Sequence, residues 1–311
     1  MSSKQATSFM AIRSIVPYYG GKRALAASIV EELGPHVAYF EPFCGGLSVL
    51  LAKPRSAQET VVDLNGQLAN LALVLADPKL ASRLYRELRR VPACEAIYLQ
   101  SCLQLEDDQA HGVMADWGSG IPIKACPSYV SARSYFIASW LGRNGLVGSV
   151  RRGCTFCVRY TPGGGSTATR FRHVVDSIPA FRRRLRDVTI LCRDAFEVVG
   201  SIDDCDGMVI YCDPPYLAKS KPYLHDFADA DHKRLADALS RFKRARVLVS
   251  YYDHPALDSL YPGWTKRSFI RHKNLSNQGQ YGSNGTKCTE VLLINGPSLV
   301  AESRPLLEIA P

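Results

Sequence analysis

Residues 207–216 read GMVIYCDPPY. An apolar run, Met208 to Cys212, ends in an acid, two prolines and a tyrosine. The run is short and rich in β-formers, so it reads as a buried strand. Two consecutive prolines fix φ twice and remove two backbone donors, so the strand stops there with its carbonyls held rigidly. Two other stretches have the same form: VTILCRDAF (188–196) and ARVLVSYYD (245–253) are apolar, β-rich runs that end in or lead to an acid. Upstream of the last run, Leu235, Leu239 and Phe242 repeat at helical spacing, and Asp229 or Asp231 is placed to cap the start of that helix. Strands alternating with helices argue for a parallel α/β sheet that binds ligands at the carboxyl ends of its strands.

The first quarter of the chain repeats the pattern. HVAYF (36–40) is a short apolar run leading into Glu41-Pro42, then a Gly-Gly turn and the helical LSVLLAK. ETVVDLN (59–65) reads as the next strand, with Asp63 at its end. The middle is different. It opens with Leu80, Leu84 and Leu88 at helical spacing, passes a polar stretch near Glu106–Gly120, and forms a second helix through Tyr129–Leu141. A glycine- and arginine-rich region follows, closing on Gly163–Gly164–Gly165. The expected organisation is therefore one α/β domain from 1–75 and 188–296, with 76–187 inserted as helices plus a hairpin. Residues 297–311, with three prolines and little pattern, read as a loose tail.

Bulk properties narrow the class. The chain has 311 residues, 46% hydrophobic and 22% charged, as an ordinary globular protein does. No apolar run is long enough to span a bilayer, and MSSKQATSFM lacks the core of a signal peptide, so a cytoplasmic protein with no membrane partner is expected. The ten cysteines are scattered, and Cys44, Cys192 and Cys212 lie in apolar stretches as small core residues do. Cys154 and Cys157 make one Cys-x-x-Cys without a second ligand pair at a zinc-like spacing, so no metal is expected. Charge is more informative by place than by size. Residues 121–186 hold Lys124 and eleven arginines against one acid, Asp176, so this segment is +11 within a chain of +9. Almost nothing neutralises those arginines, which is the footprint of a polyanion-binding surface.

The chemistry of Asp213-Pro214-Pro215-Tyr216 is specific. The exocyclic amine of adenine is a poor nucleophile because its lone pair is delocalised into the ring. Two acceptors that bind its N–H groups draw the nitrogen toward a tetrahedral shape and aim the lone pair at an electrophilic methyl group. The Asp213 carboxylate and the Pro214 carbonyl are suited to that task, and Tyr216 offers a flat face for a flipped-out base. Upstream, Phe40–Gly46 (FEPFCGG) is a glycine turn without the GxGxxG that a dinucleotide pyrophosphate needs. S-adenosylmethionine has no phosphate, so a looser turn through Pro42, Phe43 and Gly45 suits it. Asp63, twenty-two residues after Glu41, stands where an acid about twenty residues on binds ribose hydroxyls in dinucleotide folds. PYYGGKR (17–23) reads both as a tight turn before a helix and as a lip on the cofactor, with Tyr18 against it and Lys22 near its carboxylate.

In order and motif the chain resembles the Dam-like, alpha-class adenine-N6 DNA methyltransferases: PYYGGKR first, then FEPFCGG, a basic insert, and DPPY. The resemblance covers about 15–75 and 188–295 well and the insert in part. It implies a Rossmann-like mixed sheet with an edge hairpin, S-adenosylmethionine as methyl donor, double-stranded DNA as partner, and base flipping. It places Tyr18, Lys22, Asp63 and Asp213 at the cofactor, with Asp194 on the cofactor's adenine amine. SWLGRNGLVGSVRRG (139–153) resembles the family's Asn-Gly-Leu element before its recognition hairpin. Arg143 and Asn144 then lie near the target, and Arg151, Arg152 and Arg159 on or beside the hairpin. Arg182–Arg183–Arg184 reads as a phosphate-facing or solvated patch, and 271–287 as a second DNA flap or a hairpin loop.

Two departures, Pro17 where the family often has lysine and Gly148 where it often has arginine, keep the recognition sequence open. Among rival readings, an N4-cytosine enzyme more often carries serine at position 213, and a protein-amide enzyme asparagine. A catalytically silent DNA-binding relative should have lost part of FEPFCGG or DPPY, and an NAD oxidoreductase would need GxGxxG.

Overall fold

The computed structural model describes residues 14–18, 20–110, 127–142, 155–158, 165–217, 227–272 and 287–300. The first elements in chain order are α1 (Ala26–Leu33), β1 (Ala38–Glu41), α2 (Ser48–Ala52), β2 (Gln58–Val62), α3 (Gly66–Ala76) and α4 (Pro78–Leu88). They are followed by α5 (Glu95–Ala110), α6 (Tyr129–Leu141), α7 (Thr167–Leu185), β3 (Thr189–Leu191), α8 (Ala195–Ser201) and β4 (Met208–Cys212). The last are α9 (Asp229–Ser240), β5 (Arg246–Tyr252), α10 (Ala256–Leu260), β6 (Thr265–His272) and β7 (Lys287–Ile294). The chain folds as two compact units, one of residues 24–44, 52–64 and 189–311, the other of 1–23, 45–51 and 65–188.

The first unit is built on a seven-stranded sheet in the order β3-β2-β1-β4-β5-β7-β6. The first five strands of that order are parallel, pairing Phe40 with both Thr60 and Ile210, for example. β7 runs antiparallel to both β5 and β6, so the sheet ends in an edge hairpin. All five residues of β4 are buried, as a central strand covered on both faces requires. The core packs Ile210, Cys212, Val247, Val249, Val291 and Leu293 against Val198, Val199, Leu235 and Leu239 of α8 and α9. Phe242 lies just past the end of α9 and stays buried at 2% exposure. The start of α9 differs from the expected cap. Ala228 takes the cap position, and Asp231, three residues on, accepts a hydrogen bond from its backbone N–H at 2.8 Å.

One carboxylate ties the far edge of this unit together. Glu32 on α1 is fully buried and receives Arg246 from β5 at 2.9 Å, Arg267 from β6 at 2.5 Å and the Leu299 N–H at 2.9 Å. Residues 298–300, grouped with the tail by their sequence, are thus pinned, because Ser298 and Leu299 satisfy a buried charge.

The second unit is helical. Asn65, Asp77, Ser128 and Ser166 cap α3, α4, α6 and α7 through side-chain oxygens, and Pro78 stands in the first turn of α4. From Ser134 to Leu141, α6 is buried on every side, which makes it the central helix of the unit. α3 and α5 pack on it, and α7 packs on α3, α4 and α6. Asn70 of α3 exchanges two hydrogen bonds with the Ser128 backbone at 2.8 Å each. The Trp140 indole donates to the Ile15 carbonyl at 2.9 Å, holding the segment 14–18 on the same unit. No helix among the described residues is long and apolar enough to cross a membrane.

Candidate active site

Four neighbouring parallel strands deliver acids to one edge of the sheet. β1 ends at Glu41 and leads into Pro42 and Phe43; β2 is followed at once by Asp63; β3 leads within three residues to Asp194; β4 is followed by Asp213. Strand order reverses between β1 and β4, which are paired side by side. In open α/β sheets that reversal is where the crevice for a ligand opens.

Asp213 is half-buried and Pro214 is buried. Burial foremost, and then the negative charge of Asp213, push the ionisations of Tyr211, Cys212 and Tyr216 well upward. These groups keep their protons, so none competes with Asp213 as a base. The Tyr211 hydroxyl is held by Ser250 at 2.8 Å under the strand end. Tyr216 is half-buried and donates its hydroxyl to Glu290 Oε1 of β7 at 2.7 Å. The Tyr252 ring meets it edge-on at 4.4 Å between centroids.

An aromatic group stands beside the acids. Phe196 and Phe227 are stacked with an interplanar angle of 11° at 5.9 Å, and Phe43 meets Phe227 edge-on at 6.0 Å. Arg234 lies 4.0 Å over the Phe196 ring. Asp194 has a structural task as well: it caps α8, its Oδ1 accepting from the Phe196 N–H at 2.8 Å. Glu41, 2% exposed, accepts from the Tyr39 hydroxyl at 2.9 Å, and Lys53 lies 4.6 Å over the Tyr39 ring.

In the helical unit, Tyr18 of PYYGGKR and the second half of the glycine turn come together. Gly45 has φ +46°, and a Cβ there would lie 3.3 Å from the Tyr18 ring. At Gly46 a Cβ would overlap Ser14 Oγ and lie 2.9 Å from the Val16 carbonyl. Leu47 follows with φ +62°, a strained conformation for a leucine, and is 1% exposed. Lys22 is 4% exposed, and its ammonium donates to the Gly20 carbonyl at 3.0 Å.

Arg143, Asn144, Arg151, Arg152 and Arg159 lie outside the described residues, as does most of 271–287. Among the described arginines of the basic segment, some charge is structural. Arg133 pairs with Glu87 at 3.4 Å. Arg184 corrects the expected surface patch: it is 8% exposed and donates to the Leu50 carbonyl at 3.1 Å. The patch fails there because position 184 falls on the buried face of α7, with Phe181 and Leu185. Arg183 and Arg186 are exposed. Sequence reasoning missed Phe196, Phe227, Tyr252 and Glu290. The signal for Glu290 was a lone acid in the apolar run EVLLI; for the others only the third dimension carries it.

The strand order and the Asp-Pro-Pro-Tyr corner define a Rossmann-like methyltransferase. The chain belongs to the D12 class N6 adenine-specific DNA methyltransferases, whose family model matches residues 18–105 and 159–277. It is also similar to the retron Ec67 DNA adenine methylase of Escherichia coli, 25% identical over 289 aligned positions, with 91% of each chain covered. Methylation of adenine in DNA is the activity of this family, as the resemblance implied. A Rossmann-like sheet with an edge hairpin was the expected fold and is the observed one.

Proposed function

We propose that the chain transfers a methyl group from S-adenosylmethionine to the N6 amine of an adenine flipped out of double-stranded DNA, with Asp213 and Pro214 binding that amine. The observation that carries this reading is the rigid Asp213-Pro214-Pro215-Tyr216 corner at the carboxyl end of β4, beside β1 at the strand-order reversal. The Asp213 carboxylate and the Pro214 carbonyl accept the two amine hydrogens, which localises the nitrogen lone pair; Tyr216 stacks on the base. S-adenosylmethionine, when bound, supplies the electrophilic methyl group. The residues fit such a molecule chemically. Asp63 offers acceptors to ribose hydroxyls and Asp194 to an adenine amine, while Pro42, Phe43 and Phe196 offer apolar surface to a purine. Positive charge on 76–187 supports a target-recognition role for that segment, with Arg143, Asn144, Arg151, Arg152 and Arg159 touching the DNA.

The test is nucleoside mass spectrometry of unmethylated DNA incubated with the purified protein and S-adenosylmethionine, with Asp213→Ala alongside. N6-methyladenine is expected with the parent, and a fall of roughly 10²–10³-fold or more with the variant, which loses an acceptor to the reacting amine. DNA binding by gel shift is expected to survive in Asp213→Ala; its parallel loss would make Asp213 a structural residue. N4-methylcytosine would overturn the base assignment.

A further inference from the structure

Glu290 is a carboxylate that the proposed chemistry does not use. It is 2% exposed, on a strand whose next four residues, Val291 to Ile294, are all buried and apolar. A carboxylate in such a place is costly, and a well-packed apolar side chain usually serves stability as well or better. Its geometry indicates another use. Glu290 faces Tyr252 directly across the β5–β7 ladder, so both side chains rise from the same face of the sheet. Both touch one ring: Glu290 Oε1 accepts from the Tyr216 hydroxyl at 2.7 Å, and Tyr252 lies edge-on to the ring at 4.4 Å.

We infer that Glu290 is a positioning residue: with Tyr252 it clamps the Tyr216 ring at hydroxyl and flank, presetting the plane on which a flipped base stacks. The inference rests on the flipped-adenine reading of Tyr216. A tyrosine has two soft side-chain torsions. A bond at the hydroxyl tip and a ring against the flank fix both, and the prolines before Tyr216 fix the backbone that carries it. A preset surface binds an extruded base without ordering a side chain at that moment. Burial, Asp213 and Glu290 all push the Tyr216 phenol upward, so the hydroxyl remains a donor to Glu290 at neutral pH.

The experiment places 2-aminopurine at the adenine found modified and reads its fluorescence on binding, beside steady-state kinetics and S-adenosylmethionine binding by calorimetry. Tyr216→Phe and Glu290→Ala are each expected to lower the fluorescence rise and to reduce kcat/KM for DNA roughly tenfold or more, as loss of a charge-assisted hydrogen bond does. Glu290→Gln keeps an acceptor of equal length and is expected to recover most of that loss, with cofactor affinity unchanged throughout. Tyr216→Phe with Glu290→Gln should be no worse than Tyr216→Phe alone, since both act through one bond. Should Glu290→Ala fail to fold, Tyr216→Phe with Glu290→Gln breaks the same bond and leaves no buried charge. A full fluorescence rise and full kcat/KM in Tyr216→Phe or Glu290→Ala, or additive losses in the double variant, would overturn the inference alone. A parent that methylates adenine but gives no rise would overturn the flipped-base reading and the inference with it.

Discussion

Asp213 and Gly46 illustrate two ways in which a single position becomes indispensable. In the proposed reaction Asp213 would matter for its charge, held at a strand end among groups that keep their protons. Gly46 matters for what it lacks. A methyl group there would collide with Ser14 Oγ and the Val16 carbonyl, in a segment tied to the turn: Ser14 Oγ donates to the Gly46 carbonyl at 2.9 Å and Ile15 N–H to the same oxygen at 3.1 Å. Gly46→Ala is expected to cost about 1–3 kcal/mol through forced displacement of that backbone. The check is a lower urea midpoint at unchanged slope. The motif FEPFCGG shows in the sequence that close approach is wanted there, but not by which partner, since Ser14 stands 32 residues away along the chain. Glu290 and Tyr216, 74 positions apart, are illegible for the same reason. Local pattern tells that a residue is buried, whereas the identity of its partner belongs to tertiary structure.

At the scale of elements, the legible parts are those whose periodicity is unambiguous. β4 and β5 read as continuous apolar runs because both faces of a central strand are covered. The sequence marks a helix at Tyr129–Leu141, and α6 has those bounds. The Glu32 clasp joining α1, β5, β6 and residues 298–299 is not legible, because its members lie more than 200 positions from Glu32. Burial raises the Glu32 carboxyl, but hydrogen bonds from Ser298, the Leu299 N–H and Arg267, with the charge of Arg267, outweigh it and hold the group below its ordinary 4.5. A carboxylate depressed on folding stabilises above its unfolded value, and that contribution is lost as pH falls through the folded one. Stability is therefore expected to fall as pH drops below about 4.5, and Glu32→Gln to be less stable at neutral pH with a shallower decline. Urea unfolding at a series of pH values measures both.

For the molecule as a whole, charge is the property most easily tested. The segment 121–186 carries +11, while the remainder sums to about −2 by the same formal counting. Some of that charge serves the fold, as Arg133 and Arg184 do. Arg151→Ala combined with Arg152→Ala is expected to weaken DNA binding and to flatten its salt dependence by about 0.9 in log–log slope for each phosphate no longer neutralised. Titrations at several salt concentrations give that slope, and an unchanged one moves the DNA face elsewhere.

The route of the chain sets a limit on dissection. It passes between the two units after residues 23, 44, 51, 64 and 188, so neither is a continuous stretch. Excising 76–187 as a module would strip the Trp140 indole of the Ile15 carbonyl, at about 1–3 kcal/mol, and remove the Leu50 carbonyl from Arg184. The helical unit draws in part on residues 1–23 and 45–51, so exchanging 76–187 between relatives at those two cut points would transplant an incomplete fold.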